Sequence, residues 1–187
     1  QKNLNTEFWV MVHGGHHGTA LFNGPGKLTE KIADRFYCWG WGKYNLPSPK
    51  LSNLSAHNIK MKGNKILFIP YSISKYSNHV DSSPMSNSFD DCKKMHCDFF
   101  NELKKIKIIE QVIVRIKKDI ESRNLEDEYS DHLNSNQFVI SDNEPLVKSI
   151  EKSQLVIVTY DSTVFLEALI LNQPTCLFLR KNFWEMS

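Results

Sequence analysis

Runs of apolar residues recur along residues 65–187 without the alternation of polar and apolar positions that a half-exposed strand shows. The runs are Lys65–Pro70, Gln111–Ile116, Gln137–Ser141, Leu155–Thr159 and Thr175–Leu179. Between them, apolar spacing predicts helices over Phe89–Lys105, Glu144–Lys152 and Thr163–Leu171. Strands that are apolar throughout are typical of a parallel sheet with helices on both faces. The alternation therefore predicts a doubly wound α/β fold.

The first fifty residues predict a smaller unit of the same kind. A strand over Phe8–Val12 precedes a glycine-rich turn over His13–Gly26, a helical pattern around residues 28–33 and a strand over Arg35–Trp39. Prolines, serines and asparagines between residues 40 and 63 indicate a linker. We predict that residues 1–50 are the C-terminal piece of a preceding domain, residues 51–62 an interdomain linker, and residues 63–187 a truncated C-terminal domain.

Two polar stretches separate the predicted elements. Ser72–Ser88 predicts a surface loop, and Glu121–Asn136 predicts a solvent-exposed segment. We also expect the chain to be a fragment of a longer protein. The first predicted strand begins only a few residues from the start of the chain. After the run at residues 174–180, no segment remains that could cover the sheet to which this run belongs.

Composition and charge exclude some classes of function and location. The 187 residues carry a formal net charge of +2, with 41% hydrophobic and 24% charged residues, as in ordinary globular proteins. A nucleic-acid partner is disfavoured, because such a binder needs a basic patch. The sequence has neither a run of about 18 apolar residues nor a secretion signal. We therefore expect a cytoplasmic location, which allows peripheral association with the inner face of the membrane.

The cysteines predict no special chemistry. Four cysteines scattered over a chain of this length are too few for a disulfide framework and predict reduced thiols. Cys92, His96 and Cys97 lie within one predicted helix, but no second ligand pair follows them. We expect these three side chains to pack in the core rather than to bind a metal.

The string His13-Gly14-Gly15-His16-His17-Gly18-Thr19 follows the first predicted strand. Ligands of open α/β sheets bind outside the carboxyl ends of strands, and glycines let backbone N–H groups approach an anion. We predict that Gly14 and Gly15 contribute to ligand binding and that His13 is a general base. His13 directly follows a rigid strand, whereas His16 and His17 come after two glycines.

Other interpretations of this loop are weaker. A glycine-rich turn with exposed histidines is the plain alternative. A phosphate-binding P-loop would need glycine where Leu21 stands and a hydroxyl residue where Leu28 stands. A zinc site of His13, His16 and His17 lacks the usual helical spacing of paired ligands.

A second candidate site follows the strand at residues 155–159. Asp161, Ser162 or Thr163 can cap the next helix, which is the purely structural interpretation. The start of a helix also favours a diphosphate. Glu167 lies about one turn further along, where a carboxylate can hold two ribose hydroxyls. The two candidate sites follow strands of successive units and could face each other across a cleft.

These motifs resemble those of the GT-B glycosyltransferases, which consist of two Rossmann-like domains. Asp161-Ser162-Thr163, Glu167-Ala168-Leu169 and Asn172-Gln173-Pro174 resemble their C-terminal sugar-donor motif. His13-Gly14-Gly15, Asp34-Arg35-Phe36, Trp39-Gly40-Trp41 and the run from Tyr160 to Thr175 together resemble a transferase family encoded in bacterial surface-polysaccharide (O-antigen or capsule) gene clusters. The CDP-glycerol glycerophosphotransferases have a related layout.

The resemblance implies a nucleotide-activated donor of a sugar or related group in the C-terminal domain and a glycan or lipid-linked acceptor in the preceding one. It implies catalysis without a bound metal or other cofactor, so that basic side chains and helix dipoles stabilise the leaving diphosphate. Arg115 is the candidate for that cation, and an exposed arginine at the start of a loop is the alternative.

Three functions fit the sequence: transfer of a sugar or related group to a surface glycan, 2-epimerisation of a nucleotide sugar, and non-catalytic binding of a nucleotide or glycan. The sugar, the base, the acceptor, the stereochemistry and the oligomeric state are open at this point.

Overall fold

The computed structural model of the chain describes residues 6–12, 14, 17–18, 24–55, 63–72, 86–106, 110–117, 123–141 and 144–180. Within these ranges the protein is a mixed α/β structure with two parallel sheets. This confirms the predicted α/β class and is consistent with a Rossmann-like fold. None of the helices in the described part of the chain is long and apolar enough to cross a membrane.

The smaller sheet is built from the first described residues. Its elements are β1 (Trp9–Met11), α1 (Gly24–Ile32), β2 (Arg35–Cys38) and β3 (Tyr44–Asn45). The strands are parallel in the order β1-β2-β3, and Met11 pairs with Tyr37, which pairs with Tyr44. Residues 8–39 thus form the predicted strand, helix and strand, in that order.

The larger sheet follows α2 (Pro49–Ser55). Its elements are β4 (Lys65–Ile69), α3 (Ser86–Lys105), β5 (Val112–Val114), α4 (Leu125–Glu128), α5 (Ser130–Leu133), β6 (Phe138–Ile140), α6 (Leu146–Glu151), β7 (Ser153–Val158), α7 (Thr163–Ile170) and β8 (Thr175–Leu177). The described strands are all parallel, in the order β6-β5-β4-β7-β8. Strand order reverses between β4 and β7, which is where open α/β sheets bind ligands.

Both faces of the larger sheet are buried, which explains the uninterrupted apolar runs. Successive residues of a strand point to opposite faces. Phe68 therefore lies in a cluster with Phe100 of α3, whereas Leu67 and Ile69 lie in a second cluster with Ala168 of α7. A strand packed on both sides needs apolar residues at every position.

The predicted linker contains more structure than expected. It includes most of α2, which crosses the predicted boundary at residue 50, while residues 56–62 lie outside the described ranges. Ser48 Oγ accepts a hydrogen bond from Leu51 N at 3.4 Å, as in an N-terminal cap. Pro49 occupies the first helical position, which tolerates proline. Leu51 and Leu54 are buried in the cluster that contains α7.

The expectation of a solvent-exposed segment over Glu121–Asn136 is wrong. Its described residues include α4 and α5, and Leu125, Tyr129 and Leu133 are buried under the sheet. These three residues are four positions apart, so they share one face of consecutive helical turns. Many acidic and asparagine residues around them obscured this spacing. Of the predicted loop at Ser72–Ser88, residues 86–88 belong to α3 and residues 73–85 are not described.

The helix α3 buries Cys92, His96 and Cys97. His96 Nδ1 lies 2.7 Å from the hydroxyl of Tyr129, and its ring meets the edge of Phe68. Burial lowers the pKa of His96 to about 4, so the imidazole is neutral at physiological pH. As predicted, these side chains pack in the core.

Candidate functional site

A cavity of about 280 Å³ opens where the strand order of the larger sheet reverses. Its apolar lining includes Ile69, Pro70, Ile116, Leu146 and Val164, and its polar lining includes Arg115, Lys117, Ser141 and Tyr160. These residues come from the carboxyl ends of β4 to β7 and from the starts of α6 and α7. A mostly apolar cavity with a few convergent polar groups is the usual form of a small-molecule site.

Arg115 follows β5 and is anchored in this cavity. Its Nη1 donates to the backbone oxygen of Glu144 at 2.7 Å, to Ser149 Oγ at 3.2 Å and to Ser141 Oγ at 3.4 Å. Ser149 in turn donates to the Glu144 carboxylate, which also accepts from Lys152. The bond from Lys152 is the main reason that the pKa of Glu144 is lowered. Arg115 is therefore a half-buried, oriented cation rather than an exposed loop arginine.

Two tyrosines lie at the carboxyl ends of β4 and β7, and one of them, Tyr160, lines the cavity. Thr159 Oγ1 accepts a hydrogen bond from Tyr71 N at 2.8 Å, which joins the two strand ends. The rings of Tyr71 and Tyr160 meet edge to face, with centroids 5.3 Å apart. Burial raises the pKa of Tyr71 to about 12 and also raises that of Tyr160. Both phenols are neutral at pH 7, as an ordinary tyrosine is, so neither adds a negative charge near the cavity.

The start of α7 lacks a side-chain cap. Ser162 is at the N-cap position with extended backbone angles, φ −151° and ψ 164°, but its hydroxyl makes no capping bond. Ser162 Oγ is buried and makes no hydrogen bond. It lies near enough to Tyr160 to oppose the rise in that residue's pKa, although the two hydroxyls are not aligned for a hydrogen bond. Asp161, just before it, is buried.

The loop after β1 reaches the start of α7. Gly14 has φ +100°, and a Cβ added there would overlap Cγ2 of Thr163 and lie 3.0 Å from Cη2 of Trp39. Gly14 is thus a position that needs glycine both for its backbone angle and for its close approach. Trp39 follows β2, so residues after β1 and after β2 meet at the start of α7. The two sequence-predicted sites are adjacent at Gly14 and Thr163.

Glu167 lies on the same face of α7 as Thr163, one turn further along. Its side chain is buried, and its Oε1 lies 2.5 Å from Nζ of Lys50 on α2. This contact is an ion pair that lacks hydrogen-bond alignment, since Glu167 Oε1 has no hydrogen-bond partner. Sequence reasoning missed Lys50, because it stands in a proline- and serine-rich stretch where only the packing of α2 places it beside α7.

The remaining predicted site residues belong to the loop after β1, of which the structure describes only a part. His13, Gly15 and His16 lie outside the described residues. His17 is half-buried, and Gly18 has φ +87° beside the ring of Trp41. The described part of the chain contains no group of three His, Cys, Asp or Glu side chains that could hold a metal ion.

The fold and site together define a Rossmann-like α/β protein whose ligand edge carries cationic, hydroxyl and phenol side chains. A family model described as LIC12162 family transferase matches residues 3–187. The chain belongs to this family of transferases. Comparisons with curated proteins and with solved structures found no match.

Proposed function

We propose that this transferase moves a sugar or related group from a nucleotide-activated donor to a surface-polysaccharide acceptor, and that its fold is GT-B. In this proposal, the larger sheet binds the nucleotide and the smaller sheet belongs to the acceptor-side domain. The observation that carries it is the contact of Gly14 with Thr163. It joins the loop after β1 to the helix start that the resemblance assigns to the sugar donor.

The start of α7 supports binding of a diphosphate. The first N–H groups of any helix lack intrahelical acceptors, and the dipole there favours negative charge. Val164 of the first turn and Arg115 line the same cavity. Arg115 adds a permanent positive charge, and Ser162 adds a hydroxyl without a hydrogen-bond partner. These groups can stabilise the negative charge that develops on a leaving diphosphate without a metal ion.

The reaction proposed for this site has one group transfer. The acceptor hydroxyl oxygen forms a bond to the anomeric carbon of the sugar, and the bond from that carbon to the diphosphate oxygen breaks. The bonding electrons leave with the diphosphate toward α7. The proton of the hydroxyl passes to the imidazole of His13, which precedes Gly14 in the sequence. General-base catalysis of this type contributes about 10²–10⁴-fold in rate.

The experiment is a transfer assay with the intact protein, a panel of labelled nucleotide sugars and membranes of the source organism as the acceptor. We expect release of a nucleoside diphosphate together with label in the glycan fraction. His13→Ala should lower turnover by about 10²–10⁴-fold, with nucleoside diphosphate affinity little changed. His16→Ala and His17→Ala are the matched controls in the same loop.

Each result has a defined meaning. Conversion of the donor into an epimer without label in the glycan would favour a 2-epimerase. Normal turnover of His13→Ala with loss in His16→Ala or His17→Ala would assign the base to another histidine. Lack of binding to every nucleoside diphosphate tested would contradict the proposal as a whole.

A further inference from the structure

Lys50 is a largely exposed cation whose ammonium group contacts a buried carboxylate of α7. The Glu167 carboxylate that it contacts is only 4% exposed, whereas the Lys50 side chain is 65% exposed. An ammonium has three N–H donors, and a single contact to Glu167 engages one side of it. The buried carboxylate thus contacts Lys50, most of whose side chain remains exposed to solvent.

This ammonium lies close to the start of α7. Glu167 is four residues after Thr163, which corresponds to about 6 Å along a helix. Gly14 contacts Thr163 on this same face. On the adjoining face, Val164 lines the cavity that contains Arg115. Lys50 thus contacts α7 on the face that carries Thr163, and Arg115 lines the cavity on the adjoining face.

Buried polar atoms in this region have unused hydrogen-bonding capacity. Ser162 Oγ is buried and makes no hydrogen bond, whereas the buried Glu167 Oε1 already has the ammonium of Lys50 as its charged partner. Because buried polar atoms are nearly always partnered, the unpartnered hydroxyl of Ser162 at the helix start is a place where a polar ligand can bind. A carboxylate has about four acceptor positions, so Glu167 can hold Lys50 and ribose hydroxyls together.

We propose that Lys50 binds a phosphate of the sugar donor's nucleoside diphosphate and that Glu167 positions its ammonium. This inference rests on the proposed function of the site. It adds a cation from the segment between the two sheets to the one that Arg115 supplies from the larger sheet. Nucleotide binding would then hold α2 against α7.

The test is calorimetry on the intact protein with UDP, CDP, GDP, ADP and dTDP, and with the nucleoside of each diphosphate that binds. Lys50→Ala should weaken diphosphate binding by about 10-fold and leave nucleoside binding little changed. Lys50→Arg should keep most of the affinity. Lys105→Ala is the matched control, because Lys105 is 68% exposed and pairs with Glu102 at 2.6 Å, away from the site.

A second pair of variants separates phosphate binding from a structural role. Lys50→Ala leaves the buried Glu167 without its cation, which by itself can lower stability. Glu167→Gln removes that charge. The effect of Lys50→Ala is therefore measured again in the Glu167→Gln background. A further loss of diphosphate affinity of about 10-fold in that background supports direct contact with phosphate.

Four results would overturn the inference. Equal loss of nucleoside and diphosphate affinity in Lys50→Ala would mean that Lys50 only supports Glu167. No additional loss in the Glu167→Gln background would mean the same. If wild-type protein binds none of the five diphosphates, the proposed function fails together with the inference, whereas normal binding by Lys50→Ala refutes the inference alone.

Discussion

Replacing Gly14 with alanine tests whether the loop after β1 and the start of α7 form one site. The new Cβ would overlap Cγ2 of Thr163, and the backbone at residue 14 has φ +100°. The loop must then move away from α7, or the helix start must shift. Gly40→Ala is the matched control, since Gly40 also has a positive φ, +126°, but an added Cβ there meets nothing within 4 Å.

The two variants share one cost and differ in another. An alanine forced into a positive φ lowers the free energy of unfolding by about 1–2 kcal/mol, and this loss applies to both variants. Overpacking lowers the free energy of unfolding by a further amount of about 1–3 kcal/mol, and this second loss applies only to Gly14→Ala. We therefore expect losses of about 1–2 kcal/mol for Gly40→Ala and about 2–5 kcal/mol for Gly14→Ala.

Thr163→Ser removes the overlapping methyl group and retains the hydroxyl. In the Gly14→Ala background it should restore about 1–3 kcal/mol, although alone it should cost about 0.5–1.5 kcal/mol, as for other deletions of a single methyl. Denaturant unfolding gives these values, and calorimetry with a nucleoside diphosphate gives the matching change in affinity. We expect affinity to fall in Gly14→Ala and to recover in the double variant.

Equal destabilisation by Gly14→Ala and Gly40→Ala, with no rescue by Thr163→Ser, would refute the contact between the loop and α7. It would also remove the main support for a shared catalytic site. If Thr163→Ser restores stability but not affinity, the contact between the loop and α7 exists but has no role in nucleotide binding.

Three further predictions concern the core and the cavity. The pKa of His96 is about 4 in the folded protein and about 6.5 in the unfolded chain, so the unfolded chain binds the proton first as the pH falls. The free energy of unfolding should therefore fall by about 3 kcal/mol between about pH 6.5 and pH 4. Denaturant titrations of His96→Gln should show a flatter pH profile in this range. Arg115→Ala should weaken nucleoside diphosphate binding by about 10- to 150-fold in calorimetry, and an effect no larger than that of Lys105→Ala would contradict its role. Leu125→Ala should cost about 2–5 kcal/mol in denaturant unfolding, because Leu125 is fully buried; a loss below about 0.5 kcal/mol, typical of surface positions, would mean that this segment is exposed after all.

The strands and most helices could be predicted from the sequence for a simple reason. Strands buried on both faces must be apolar at every position, so β4, β5 and β7 stand out without any knowledge of their neighbours. The strand ends also identify where polar ligand-binding residues lie, since sheets of this kind bind ligands at their carboxyl edge. Ser162 and Thr163 were predicted on these local grounds, whereas Arg115 was predicted from the resemblance together with its place at the end of a strand.

Elements that depend on distant partners were not predictable in this way. The seven-residue helix α2 is too short to be stable alone and forms where Leu51 and Leu54 pack against the elements around α7. The segment with Leu125 looked exposed, because its polar residues outnumber the three that it buries. In both cases the deciding contacts come from residues far away in the chain.

The sequence by itself determined the order of the main apolar strands and of most helices, and the residue types at the strand ends, because these follow from local burial and helix spacing. Only the tertiary structure decided which of those ends meet. It placed Gly14 against Thr163 and paired Lys50 with Glu167, which is 117 residues further along the chain. Such pairings depend on sheet order and helix packing, which bring together residues whose spacing in the sequence carries no sign of contact.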